Sequence, residues 1–197
     1  MDVRKQWLQF SLPTFLAMVT AFCVWLGWHL QQLHEQRRSV AAIKQDGGRV
    51  YYDYQLREMA PNPRWLFDAI GDDFFSPVLS VKLPADVSDA DLASVSCLRS
   101  LQWLSIRRTS TSPSAEVTDA GLAHLAGLSQ LRYLDLRNTR MTEAGLIHLH
   151  GLASLQELYL PDSVELANNG DEIVERLPTL QVIGIGDRVL YDSRHPY

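Results

Sequence analysis

The sequence predicts an α/β fold, namely a right-handed solenoid with a parallel sheet on its concave side and short helices on its convex side, preceded by one transmembrane helix. A strand-like pattern of leucines recurs along residues 78–185, and most copies are followed by a helix-start pattern. Between Lys5 and Glu35 the chain contains no Asp, Glu, Lys or Arg. The length of 197 residues suits one folded domain with an appendage.

The repeated unit is clearest in residues 131–152, where LRYLDL is followed by RNTR and then by MTEAGLIHLHGL. Related strand segments start at residues 78, 101, 131, 155 and 180, giving spacings of 23, 30, 24 and 25 residues. Successive side chains of a strand point to opposite faces, so we expect Leu134 and Leu136 to face the core and Asp135 to face outward. Thr139 should bond to backbone at the turn that follows.

Each regular strand segment is followed by the same helix-start pattern. Ser88-Asp89, Thr118-Asp119 and Thr142-Glu143 each provide a hydroxyl for an N-cap and an acid that suits the positive end of a helix dipole. The unit that starts at residue 155 has Asn168-Asn169-Gly170 instead. We therefore expect its convex side to be irregular.

These units resemble the leucine-rich-repeat superfamily, in particular bacterial proteins with tandem LxxLxLxxTxVTDAGLxHLxGL units, over residues 78–185. The preceding helix and the GGRVYYDY segment resemble the lead-in of membrane-anchored members of that group. The resemblance implies a leucine-rich-repeat solenoid that takes part in protein–protein interaction. It implies little about any particular activity, because a fold of this kind does not define a function.

Residues 10–30 form the predicted transmembrane helix. As a helix, these 21 residues would span about 31 Å, close to the hydrocarbon thickness of a bilayer. A buried core helix is less consistent with a segment that is apolar all round, and no A-x-A-like site indicates a cleaved signal peptide. We therefore expect a single-pass membrane protein. Basic residues on both sides leave the side of the repeat domain undecided.

The domain organisation follows from these patterns. A strand is expected at residues 49–54 and a short helix at 65–70, where they would cover the first regular repeat. The predicted segments are an N-terminal tail (1–9), the transmembrane helix (10–30), a juxtamembrane helix with the N-terminal cap (31–77), and the leucine-rich repeats with a C-terminal cap (78–197).

The sequence offers little support for catalysis or nucleic-acid binding. The net charge of −5 lies entirely in residues 75–197, so a basic surface for phosphates is not expected. The chain contains no glycine-rich phosphate loop, zincin helix or nucleophile elbow. His124 and His148 are equivalent in successive repeats, but no Cys or carboxylate recurs beside them. We expect no enzyme, no cofactor, no metal, no nucleic-acid partner and no small-molecule substrate.

The concave sheet face is the expected binding surface, because stacked repeats bring outward positions into columns. One predicted column is Ser80, Trp103, Tyr133, Glu157 and Val182, and the next is Lys82, Ser105, Asp135, Tyr159 and Gly184. A third is Pro84, Arg107, Arg137, Pro161 and Gly186. Aromatic and arginine side chains dominate binding hot spots. The predicted partner-binding residues are Trp103, Tyr133, Tyr159, Arg107, Arg137 and Asp135.

The expected partner is a protein that the sequence does not identify. The alternative is a structural or assembly element, which self-associates or packs on another membrane protein through the same face. A soluble ligand would favour the first function, and concentration-dependent self-association without another partner would favour the second.

Overall fold

The computed structural model describes residues 12–56, 76–84, 86–106, 116–164 and 171–193. The chain forms two compact units, Met1–Glu35 and Gln36–Tyr197. The helices are α1 (Leu12–Gln45), α2 (Asp53–Leu56), α3 (Asp89–Val95), α4 (Asp119–Ala123) and α5 (Asp171–Arg176), with 3-10 helices at His124–Gly127 and Glu143–Gly151. The strands are β1 (Arg49–Tyr52), β2 (Val78–Leu83), β3 (Trp103–Ile106), β4 (Tyr133–Asp135), β5 (Glu157–Leu160), β6 (Val182–Ile185) and β7 (Arg188–Asp192).

The predicted transmembrane helix over residues 10–30 is wrong, and so are the single-pass membrane localisation and that part of the fold class. Within the described ranges, no helix combines the length and the apolar character that crossing a bilayer requires. The prediction relied on the absence of charge, on a length close to the bilayer thickness and on an apolar character all round, and the last of these is not sustained. In this stretch Pro13, Thr14, Thr20 and Gly27 interrupt the apolar side chains of α1.

The α/β part of the predicted fold is present as one seven-stranded sheet, in which the strands follow each other in chain order from β1 to β7. Strands β2 to β6 pair in parallel, whereas β1 and β7 are antiparallel to their neighbours. Sequence neighbours are therefore sheet neighbours. Two predicted features lie outside the described residues. They are the helix at 65–70 and the irregular segment at 168–170.

One face of the sheet packs on a core that it shares with the helical segments. Leu104, Leu134 and Leu158 are adjacent in the strand register and fully buried. Leu122 of α4 and Leu149 of the second 3-10 helix belong to the same core. Full burial of such a side chain contributes about 1.5–3 kcal/mol. The inward orientation predicted for the strand leucines is confirmed.

The helix-start residues also connect neighbouring units. The Asp89 carboxylate, at the start of α3, accepts hydrogen bonds from the backbone N and the Oγ1 of Thr118, both at 2.7 Å. One unit further on, the Asp119 carboxylate accepts from the N and the Oγ1 of Thr142 at 2.8 and 2.6 Å. The residue before each of these helices is thus hydrogen-bonded to the acid that starts the preceding one.

This linkage explains the glycine of the TDAGL and TEAGL segments. A Cβ on Gly145 would overlap the Asp119 carboxylate, and a Cβ on Gly121 would overlap that of Asp89. The first unit has Asp91 at the same position. Its carboxylate accepts a 2.7 Å hydrogen bond from the backbone N of Ser88, which closes a capping box within α3.

Candidate partner-binding face

The strand register produces the first two columns predicted from the repeats. Trp103 pairs with Tyr133, Tyr133 with Glu157, and Asp135 with Tyr159. Arg137 follows β4 on the same side of the sheet. We call these outward residues, Trp103, Tyr133, Asp135, Arg137 and Tyr159, the aromatic patch. Arg107, the remaining predicted site residue, lies outside the described residues.

The three rings of the aromatic patch form a continuous row across β3, β4 and β5. The Trp103 and Tyr133 rings stack with centroids 3.6 Å apart and planes 9° from parallel. The Tyr133 and Tyr159 rings are 5.5 Å apart and inclined by 42°. Tyr159 extends over Gly184 of the next strand, where a Cβ would lie 2.6 Å from its Cδ1. The row therefore ends on a position without a side chain.

Asp135 faces outward but is only 6% exposed, because its neighbours cover it. Arg137 donates from Nε to Oδ1 at 3.0 Å and from Nη2 to Oδ2 at 2.8 Å. The backbone N of Arg137 donates to the same Oδ1 at 3.2 Å. A buried carboxylate needs such compensation, and a two-pronged guanidinium contact provides it in a fixed geometry. The described contacts of Asp135 are therefore within the patch, where it positions Arg137.

Arg137 also covers the edge of the ring row. Its guanidinium carbon lies 5.1 Å from the centroid of the Tyr159 ring, within the range of a cation–π contact. The hydrogen bond to Asp135 is the main cause that raises the pKa of Arg137 above its ordinary value. The side chain remains 40% exposed. Arg137 is consequently charged, held in place and still accessible.

Burial in the ring row raises the pKa of Tyr133 to about 12, and the negative charge of Asp135 is the second cause. Because the folded value lies above the ordinary value of 10.0, folding should lose stability as the pH rises from about 10 to about 12. We expect ultraviolet titrations of the wild type and of Tyr133→Phe to differ by one phenol that ionises near pH 12. A difference that appears near pH 10 would contradict the described packing.

A depression of about 530 Å³ adjoins the patch at the carboxyl ends of the parallel strands. Besides patch residues, its lining includes Lys82, Asn138, Asp162, Gly186 and Asp187. Gly186 belongs to the third predicted column, whereas the predicted columns do not include Asn138, Asp162 and Asp187. They could have been found from the repeat, since Asn138, Asp162 and Asp187 each lie two residues after the last inward residue of a strand.

The helical side of the sheet has fewer groups that suggest a site. His124 is exposed and His148 is half-buried, both in 3-10 helices. Within the part of the chain that the structure describes, no group of three or more His, Cys, Asp or Glu side chains could hold a metal ion.

No protein-family model matches this chain, and no curated protein matches its sequence. The function is therefore argued from the geometry of the aromatic patch.

Proposed function

We propose that this chain is a leucine-rich-repeat interaction module that binds a protein partner through the aromatic patch. The observation that carries the proposal is the stacked pair of Trp103 and Tyr133 on the outward face of the sheet. Trp103 is 42% exposed even though one of its faces is covered by Tyr133. A tryptophan exposed to this extent beside a tyrosine and an arginine has the composition of a binding hot spot.

Preorganisation supports the same proposal. A side chain that is already ordered loses less conformational entropy when a partner binds. Tyr133 is held between Trp103 and Tyr159, and Arg137 is held by Asp135. The patch therefore presents apolar area and a fixed cation at a low entropic cost.

The chemistry of the patch favours binding over catalysis. Its one carboxylate is hydrogen-bonded to Arg137, and a raised pKa keeps the Tyr133 phenol protonated at neutral pH. Neither group is prepared to accept a proton from a substrate. We therefore propose a non-enzymatic function.

The proposal predicts that Trp103→Ala combined with Tyr133→Ala abolishes partner binding without unfolding the chain. Truncating one hot-spot residue typically costs about 2 kcal/mol or more, which is roughly a thirtyfold loss of affinity. The intact chain would be used to crosslink and identify its partner in the producing cells. Affinities of wild type and variant for that purified partner would then be measured by surface plasmon resonance, with circular dichroism to confirm folding.

The matched control is His124→Ala combined with His148→Ala, which truncates two side chains of the helical side. This variant should bind the partner like the wild type. Loss of binding in the histidine variant alone would place the working surface on the convex side. Sedimentation that shows self-association, abolished by the aromatic changes, with no other partner recovered would instead establish the assembly element as the function.

A further inference from the structure

The depression beside the aromatic patch carries an excess of negative charge. Among the described residues, its ionic lining consists of three carboxylates (Asp135, Asp162 and Asp187) and two cations (Lys82 and Arg137). The buried Asp135 is balanced by the two-pronged contact with Arg137. Lys82 lies over the Tyr51 ring, with its Nζ 5.5 Å from the ring centroid. Asp162 and Asp187 then face the single ammonium of Lys82, so the described lining has a net charge of −1.

These two carboxylates are accessible to solvent. The Asp187 side chain is fully exposed, and its Oδ1 forms an ion pair with Arg137 Nη1 at 3.7 Å. That separation is longer than a hydrogen bond, so the Asp187 oxygens can still accept from a ligand. Asp162 is exposed, and it forms no ion pair with any residue in the described ranges.

The backbone at Gly186 leaves room for the Asp162 carboxylate. Gly186 has a φ of 55°, and a Cβ at this residue would overlap that carboxylate. The left-handed conformation and the missing side chain thus leave the space that the carboxylate occupies. Asp162 lies against Gly186 at one side of the depression, and Asp187 follows Gly186 directly.

A second and independent feature of the depression is an unpartnered amide. Asn138 lines it and is only 5% exposed. Its Nδ2 has no hydrogen-bond partner among the described residues. A buried donor without a partner is costly, so an incoming oxygen acceptor would be bound favourably. An oxygen acceptor such as a peptide carbonyl would therefore satisfy the Asn138 amide.

We propose that this depression binds an arginine or lysine side chain of the partner between Asp162 and Asp187, with a peptide carbonyl of the same segment accepting from Asn138 Nδ2. The proposal rests on the proposed function and specifies the partner segment as basic. The aliphatic part of the bound side chain would lie against the aromatic patch, as long cationic side chains do on apolar surfaces. The net charge of −5 of the chain favours such a partner.

The test uses N-acetyl-arginine methylamide and N-acetyl-lysine methylamide as probes, with N-acetyl-glutamate methylamide as the control compound. Each would be titrated into the isotopically labelled full chain and followed by nuclear magnetic resonance. We expect a basic probe to shift the Asn138 side-chain resonances, identified with Asn138→Ala, and the Gly186 amide. Asp162→Asn combined with Asp187→Asn should weaken its binding at least tenfold. Comparing the two basic probes decides between a guanidinium and an ammonium group.

The matched charge control is Glu143→Gln combined with Glu175→Gln, which removes two exposed acids outside the depression. This variant should bind the basic probe like the wild type. Equal binding by the Asp162/Asp187 variant, or a glutamate probe that binds as tightly, would overturn the inference. If that variant retains the native partner while the Trp103/Tyr133 variant loses it, the basic-segment inference fails and the proposed function stands.

Discussion

Leu134→Ala is expected to lower the free energy of unfolding by about 2–5 kcal/mol, as truncations of leucine in close-packed interiors do. Leu134 is fully buried and lies in the strand register between Leu104 and Leu158. Its removal would leave a cavity bordered by the units on both sides. Urea denaturation of the full chain, followed by circular dichroism, would measure the loss.

The control is Ile147→Ala in the following 3-10 helix, where a side chain of similar size is 61% exposed. We expect this change to cost well under about 1 kcal/mol, as is usual for surface substitutions. Similar losses in the two variants would show that Leu134 does not face the core.

Gly151→Ala is expected to be the most damaging single-methyl addition, with a cost of about 1–3 kcal/mol from overpacking. A Cβ on Gly151 would overlap the carbonyl oxygen of Ala126 in the preceding unit and lie 3.1 Å from its carbonyl carbon. The obstacle is backbone, which cannot rotate aside as a side chain can. Thermal and urea denaturation would both report the loss.

Gly127→Ala provides an internal comparison, because HLAGL and HLHGL place Gly127 and Gly151 at the same position of successive units. Among the described residues, nothing lies within 4 Å of a Cβ built on Gly127. We expect alanine there to be neutral or to stabilise by up to about 1 kcal/mol, through the unfolded chain. A destabilised Gly127→Ala with an unaffected Gly151→Ala would refute the described packing between units.

The strands and columns could be predicted because they depend on two local rules. Alternation along a strand assigns Leu134 inward and Tyr133 outward, and a constant repeat brings equivalent positions such as Trp103 and Tyr133 together. The transmembrane prediction failed because the apolar character that it assigned to residues 10–30 is not sustained along α1. Crossing a bilayer depends on the apolar character of the whole helix. The residues that interrupt the apolar side chains of α1 lower that character.

The detail of the candidate site was less accessible from sequence. Asp135 is outward by alternation, and its burial depends on where the Arg137 and Tyr159 side chains turn. A strand pattern does not specify those torsions. The depression was missed because the predicted columns ended one residue past the last inward residue of each strand, at positions such as Arg137 and Gly186. Asn138 and Asp162 lie one residue further along the chain.

The two antiparallel end strands determine how a chain of this kind can change its length. Strands β2 to β6 all run in the same direction. A duplicated unit of about 24 residues, which is the spacing between residues 131 and 155, would therefore fit between any two neighbours among them. Strands β1 and β7 run against their neighbours, so a unit added beyond either end would not continue the parallel order. Insertions should therefore be tolerated best in the interior of the sheet, between the two reversed strands.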